Sequence, residues 1–150
     1  MVCCHYLLWI KVRYLPTAHP QRPTRRFEDR VMSSTFFIPA VNIMGLGCLD
    51  EAIAAIAGLG LRKALIVTDQ GLARAGVATR IAGLLAERDI DSRVYDGARP
   101  NPTVANVEAG LALLQRERCD CVISLGGGSP HDCAKGIALC ATNGGHIGDY

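Results

Sequence analysis

The most constraining stretch of this chain is a short apolar run, Cys121-Val122-Ile123-Ser124-Leu125. It stops at three consecutive glycines, Gly126, Gly127 and Gly128, and passes into a helical pattern reaching about Ala141. A continuous apolar run of that length reads as a strand buried on both faces. The same alternation precedes it. Phe36-Phe37-Ile38 predicts a short strand, Gly45-Leu46-Gly47 a turn, and Ile53, Ile56 and Ala57 a helix face ending near Gly58 and Gly60. Ala64-Leu65-Ile66-Val67 predicts a buried strand ending at Thr68-Asp69, and Val77, Ile81, Leu84 and Leu85 trace the next helix. Residues 92–95 read as a strand. Pro100-Asn101-Pro102-Thr103 reads as a loop opening a helix that Thr103 caps, with Val107, Leu111 and Leu114 facing inward. Strands alternating with helices imply an α/β, Rossmann-like parallel sheet covered on both faces. Ligands of such sheets sit at the carboxyl ends of the strands, where Asp69, the Asn101 loop and the glycine loop all fall.

Composition narrows the function classes. With 49% hydrophobic and 20% charged residues the chain is globular in character, and 150 residues suit one modest domain or half of a larger one. No apolar run approaches the roughly 18 residues needed to cross a bilayer, so no membrane role is expected. A formal net charge of +2 is too weak to suggest nucleic acid. The charge is also uneven: residues 1–31 carry a balance of +4 and the remainder one of −2. That first segment holds Cys3-Cys4, a short apolar run at residues 6–10, and Pro16, Pro20 and Pro23 among arginines, with no sustained period. It lacks the layout of a secretory signal. The expectation is therefore a non-native or disordered extension over 1–31 and a partial α/β domain over 32–150, with Met32 as the working start. The seven cysteines form no CxxC pair, and Cys119, Cys121, Cys133 and Cys140 read as small buried hydrophobes in a strand and a helix. Free thiols imply a reducing, cytoplasmic setting.

The glycine loop carries the most chemistry. Consecutive glycines remove Cβ atoms from an approaching ligand. Ser129 at N-cap, Pro130 at the first helical position and Asp132 three residues after Ser129 have the spacing of a capping box. The expected outcome is a bare helix N-terminus at the strand ends, suited to a diphosphate. The loop is not GxGxxG, since His131 stands where a third glycine would, and Lys135 inside the helix does not make a P-loop. Asp69 lies 57 positions before Gly126, so a dinucleotide would be held in an order unlike the common Rossmann unit. Asp69 reads equally as a helix N-cap or as the acid that binds the ribose hydroxyls of an adenosine. As the latter it would repel a 2′-phosphate and favour NAD over NADP. Asn101, held extended before Pro102, reads equally as a plain turn or a cofactor contact.

At these residues the sequence resembles the iron-containing, group III alcohol dehydrogenases, most of all the branch of bacterial iron-activated ethanol dehydrogenases. The resemblance rests on Phe37-Ile38-Pro39, Leu65-Ile66-Val67-Thr68-Asp69, Tyr95-Asp96-Gly97, Pro100-Asn101-Pro102-Thr103, residues 123–135, Ala141-Thr142-Asn143-Gly144-Gly145 and Asp149-Tyr150. It implies a dehydroquinate synthase-like N-terminal NAD-binding domain. The helical metal domain that follows in that family is expected to lie outside this chain. It also implies NAD as cofactor, with Asp69 at the adenosine ribose, Gly127, Gly128 and Ser129 at the pyrophosphate, Asn101 lining the site and Asp132 supporting the loop. The family's activity is reversible conversion of a primary alcohol to an aldehyde, with iron held by one Asp and three His. Those ligands lie beyond the positions this chain matches, so no catalytic residue and no metal ligand is assigned here. His5, His19, His131 and His146 show no ligand pairing.

The resemblance thus implies a cofactor-binding fragment, inactive alone, whose uncovered docking surface favours association, for instance as a homo-oligomer. The alternatives are a non-catalytic nucleotide- or phosphate-binding module, or decayed gene fragment, and a glycerol dehydrogenase-like enzyme. Ser129-Pro130-His131-Asp132 favours the alcohol dehydrogenase branch over the last.

Overall fold

The computed structural model describes residues 7–11, as backbone, and residues 47–150. Four strands, β1 (Leu7–Lys11), β2 (Lys63–Val67), β3 (Asp91–Tyr95) and β4 (Cys121–Gly126), form one sheet in the order β1-β4-β2-β3. Between and after them run α1 (Leu49–Ala57), α2 (Gln70–Arg74), α3 (Val77–Ala86), α4 (Val104–Glu117), α5 (Gly128–Asn143) and a 3-10 turn (Ile147–Asp149). β2 pairs in parallel with both β3 and β4, as the alternation predicts. The strand expected at 36–38, the start of the turn at 45–47 and the boundary at Met32 lie outside the described residues.

β1 is the element that periodicity does not reveal. Its backbone pairs antiparallel with β4, from Leu7 opposite Gly126 to Lys11 opposite Val122. The short apolar run at residues 6–10 falls on it, but with no sustained period around that run the sequence analysis assigns no strand there.

Strand pleating sorts the side chains into two cores. Ala64 and Ile66 of β2, with Cys121, Ile123 and Leu125 of β4, face Ile53 and Ile56 of α1 and Ile81 and Leu85 of α3. Leu65 and Val67, with Val122, face Val107 and Leu114 of α4 and Cys133, Ala134 and Ile137 of α5. Ala64, Leu65, Ile66 and Val67 are all fully buried, which is why β2 shows no hydrophobic alternation. Each large aliphatic side chain so buried contributes about 1.5–3 kcal/mol.

The helix borders follow local chemistry. α1 starts with Asp50 and Glu51 in its first turn, favourable at the positive end of the helix dipole, and stops at Gly58. α4 is closed by a capping box: Thr103 Oγ1 accepts from Asn106 N, while Asn106 Oδ1 accepts from Thr103 N. At the amino ends of the strands the Asp120 carboxylate accepts from Arg62 N at 2.8 Å and Lys63 N at 3.1 Å, fastening β4 to β2.

The thiols behave as the sequence predicts. Cys121, Cys133 and Cys140 are free and buried, although Cys119 lies just before β4 and is only half-buried. Burial pushes the Cys121 thiol up to about 12 and that of Cys133 up to about 11. The folded chain thus holds these protons to higher pH than the unfolded chain. Their contribution to stability is complete below about pH 9 and is lost as pH rises through the folded values. A thiol reagent at pH 8 should therefore leave Cys121 and Cys133 unlabelled in the native chain and label both after unfolding in urea. Fast native labelling at either position would contradict the packing described.

Candidate cofactor site

The path of the chain creates one crevice suited to a ligand. From β2 it moves outward to β3, then α4 carries it back across to β4 on the other side of β2. The strand order reverses there, and the carboxyl ends of β2 and β4 flank the opening. That is where open α/β sheets hold ligands. Asp69 follows β2, the Asn101 loop follows β3, and the glycine loop follows β4. The structure thus brings all three expected features to one end of the sheet.

Two contacts draw them together. Ala98 N donates to Thr68 O at 3.3 Å, tying the β3–α4 loop to the residue before Asp69. Leu72 of α2 lies against Gly126, where an added Cβ would stand 3.2 Å from its Cδ1.

The glycines divide by role. Gly126 has φ of +137°, and a Cβ there would stand 2.9 Å from the Pro130 ring. Only glycine fits. Gly127 and Gly128 are different: a Cβ on either meets nothing within 4 Å, and neither has positive φ. Packing gives no reason for glycine at these two positions. Open space in front of a helix start is what an incoming phosphate needs, so the loop fits a dinucleotide's pyrophosphate.

The helix start itself departs from the expected capping box. Gly127, not Ser129, is the N-cap of α5, and no side chain caps it. Ser129 and Pro130 fall inside the first turn, and the first i→i−4 bond runs from His131 N to Gly127 O at 3.3 Å. Pro130 is tolerated there because first-turn amides have no partner within the helix in any case. Asp132 does not reach back to the cap. Its Oδ1 faces Lys135 Nζ at 3.4 Å on the exposed side of α5. The bare N-terminus is thus present through a different local arrangement. Burial, reinforced by Lys135, lowers the His131 pKa.

Asp69 is an N-cap: its Oδ1 accepts from Leu72 N at 3.0 Å. Only one carboxylate oxygen is taken by this bond, and the half-buried side chain sits at the tip of β2. Asn101 is exposed and has φ of 54°, left-handed rather than the extended form a following proline favours. Asparagine tolerates this region better than most residues. The same strand ends hold two buried hydroxyls, Thr68 Oγ1 and Ser124 Oγ, without a hydrogen-bond partner among the described residues. Sequence reasoning passed over both. Thr68 stands next to Asp69 in the quoted motif, but nothing in a sequence signals an unpaired hydroxyl.

Among the described residues no three His, Cys, Asp or Glu side chains come together as a metal site. An apolar cleft between α4 and the 3-10 turn, lined by Val107, Leu111, Cys140 and Ile147, includes none of the residues above.

Fold and strand-end geometry define an α/β domain with a glycine loop at its switch point. Residues 39–150 match the family model described as "Iron-containing alcohol dehydrogenase", and the chain belongs to that family. It is 52% identical over 117 residues to Alcohol dehydrogenase 4 of Schizosaccharomyces pombe, covering 78% of this chain and 28% of that protein. It is 39% identical over 117 residues to the NAD-dependent methanol dehydrogenase of Bacillus methanolicus, covering 78% and 31%. Among solved structures, an alcohol dehydrogenase from Oenococcus oeni superposes with a TM-score of 0.73, at 34% identity over 78% of this chain and 31% of that one. The chain spans about three tenths of the length of these relatives.

The division among the glycines is testable by thermal or urea unfolding. Gly126→Ala should destabilise by about 1–3 kcal/mol, the scale of a strained backbone position. Gly127→Ala and Gly128→Ala should stay within about 0.5 kcal/mol of the parent. Equal losses at all three positions would mean that packing, not a ligand, explains the triplet.

Proposed function

We propose that this chain is the NAD-binding portion of an iron-type alcohol dehydrogenase that interconverts a primary alcohol and an aldehyde. The observation that carries the reading is the uncapped start of α5, faced with glycine at positions 127 and 128 and set at the switch point. In this reading the amides of Gly127, Gly128 and Ser129 receive the pyrophosphate. The attraction of negative charge to a helix N-terminus is worth about 0.3–1 kcal/mol when exposed and ~2 when partly buried.

Asp69 takes the adenosine ribose through the carboxylate oxygen not used in capping, and its charge disfavours NADP. Asn101 closes the site from the β3 side, and Asp132 stays in the assignment through the family resemblance alone, its carboxylate pairing with Lys135 on the exposed side of α5. Bound NAD supplies the hydride acceptor. The residues of this chain bind and orient it, and none of them is assigned as acid, base or nucleophile. Iron ligands are assigned to another part of the complete enzyme, because the side chains described here do not form such a site. The folded unit is residues 32–150, with 1–31 an extension whose Leu7–Lys11 segment lies along β4. Free, buried thiols support a reducing, cytoplasmic setting.

Fluorescence titration with NADH tests the reading. The chain should bind saturably and prefer NADH to NADPH. Asp69→Ser retains an oxygen that can cap Leu72 N but removes the charge, so it should keep α2 intact while narrowing that preference. Binding that is absent at millimolar NADH, or a preference unchanged in Asp69→Ser, would contradict the assignment. The chain with added Fe²⁺ or Zn²⁺ should show negligible alcohol oxidation, since a cation stabilising the alkoxide is worth several kcal/mol. Turnover would overturn that expectation.

A further inference from the structure

The loop between β3 and α4 is fastened at both ends to one residue. Where it leaves β3, the Tyr95 hydroxyl donates to Asn106 O at 2.7 Å. Where it enters α4, Asn106 Oδ1 accepts from Thr103 N at 3.1 Å and Asn106 N donates to Thr103 Oγ1 at 3.4 Å. The Tyr95 ring occupies a slot kept open by glycines. A Cβ on Gly97 would stand 2.5 Å from its hydroxyl oxygen, and one on Gly110 would stand 3.1 Å from its Cε1. A third fastening runs to β2: Thr68 N donates to Tyr95 O at 2.8 Å, and Ala98 N donates to Thr68 O at 3.3 Å. Between these ties Arg99, Pro100 and Asn101 are exposed, and Asn101 holds its left-handed φ of 54°.

An unpaired loop tip would not keep a non-glycine residue in that region for nothing, since such a conformation costs of order 1 kcal/mol or more and persists only where the surroundings impose it. Here the surroundings are the bonds that converge on Asn106.

We propose that Tyr95 is a positioning residue for the dinucleotide: its hydroxyl, by fixing the start of the loop on the residue that fixes its end, holds Asn101 ready at the strand tips. The inference rests on the NAD reading above. Tyr95 touches no cofactor and acts only through the loop. Burial raises its phenol above the ordinary value of 10.0, so the hydroxyl remains a donor at neutral pH. Preordering a loop spares the ligand the cost of ordering it on binding, so loss of this bond should appear as loss of affinity.

A double-mutant cycle on the 150-residue chain, read by NADH titration and thermal melting, separates this from a merely structural role. Tyr95→Phe keeps the ring in its slot and removes one hydrogen bond. Asn101→Gly removes the side chain while tolerating positive φ. Each should weaken NADH binding by up to about tenfold, the scale of one hydrogen bond. The double variant should bind no worse than Asn101→Gly alone, because Tyr95 acts through Asn101. Losses that multiply, or a Tyr95→Phe chain that binds as the parent does, would overturn the inference and leave the NAD reading intact. Should Tyr95→Phe fail to fold, Gly97→Ala, which displaces the ring, must show the same non-additivity with Asn101→Gly. A parent chain that does not bind NADH would remove the NAD reading and this inference with it.

Discussion

The structure depends on how β4 ends. A strand buried on both faces must stop, turn and release a helix that packs back over the same sheet, and Gly126 makes that turn. Its φ of +137° is open to glycine alone, and the Pro130 ring occupies the place of a Cβ. Directly after that turn α5 begins at Gly128, and its N-cap, Gly127, has no side chain with which to cap it although the space in front of it is open. The uncapped amides at the strand tip therefore follow from glycine at the N-cap position and not from crowding at the turn. The same turn sets Cys133, Ala134 and Ile137 over Leu65, Val67 and Val122, closing the second core. Packing and the proposed ligand recognition share one stretch of backbone, and the neighbouring glycines, free of any packing demand, are where the two part.

Much of this was legible in the sequence. The apolar runs in β2 and β4 and the helix faces marked by Ile53, Ile56, Ile81, Leu85, Val107 and Leu114 lie where burial puts them. Burial is what sequence periodicity encodes, and Thr103 caps α4 because its side chain carries that preference locally. The misreadings concern competition between local options. Ser129-Pro130 followed by Asp132 has the spacing of a cap, yet the close turn at Gly126 starts the helix earlier and leaves Asp132 to Lys135. The proline after Asn101 favours an extended residue, yet Asn101 is left-handed at φ of 54°, a region that asparagine tolerates better than most residues. α2 was legible only at its start, where Asp69 reads as an N-cap, because five residues with no fully buried side chain leave no period to read. β1 falls on the apolar run at residues 6–10, too short and too isolated among prolines and arginines to be read as a strand.

Membership of the iron-containing alcohol dehydrogenases and a span of about three tenths of its relatives give this domain a bounded role. Its carboxyl-end residues are suited to grip and orient: an acid at the tip of β2, a preset loop after β3 and bare amides after β4. None is arranged as a nucleophile beside a base. The charged side chains gather instead at the amino ends of the strands, where Lys63, Asp91, Arg93 and Glu117 form a surface network. Exposed pairs of this kind are worth little individually, typically about 0–1 kcal/mol, and they lie at the end of the sheet opposite the proposed cofactor site.

The central claim, that the uncapped start of α5 is the seat of a dinucleotide's pyrophosphate, is tested most directly by amide chemical shifts of the isotopically labelled chain during addition of NAD⁺. The account predicts saturable shifts centred on Gly127, Gly128 and Ser129, with smaller ones at Asp69 and Asn101, while the amides of the Lys63–Glu117 end stay still. Saturation centred anywhere else, or no shift at these glycines at millimolar NAD⁺ in a folded sample, would contradict it.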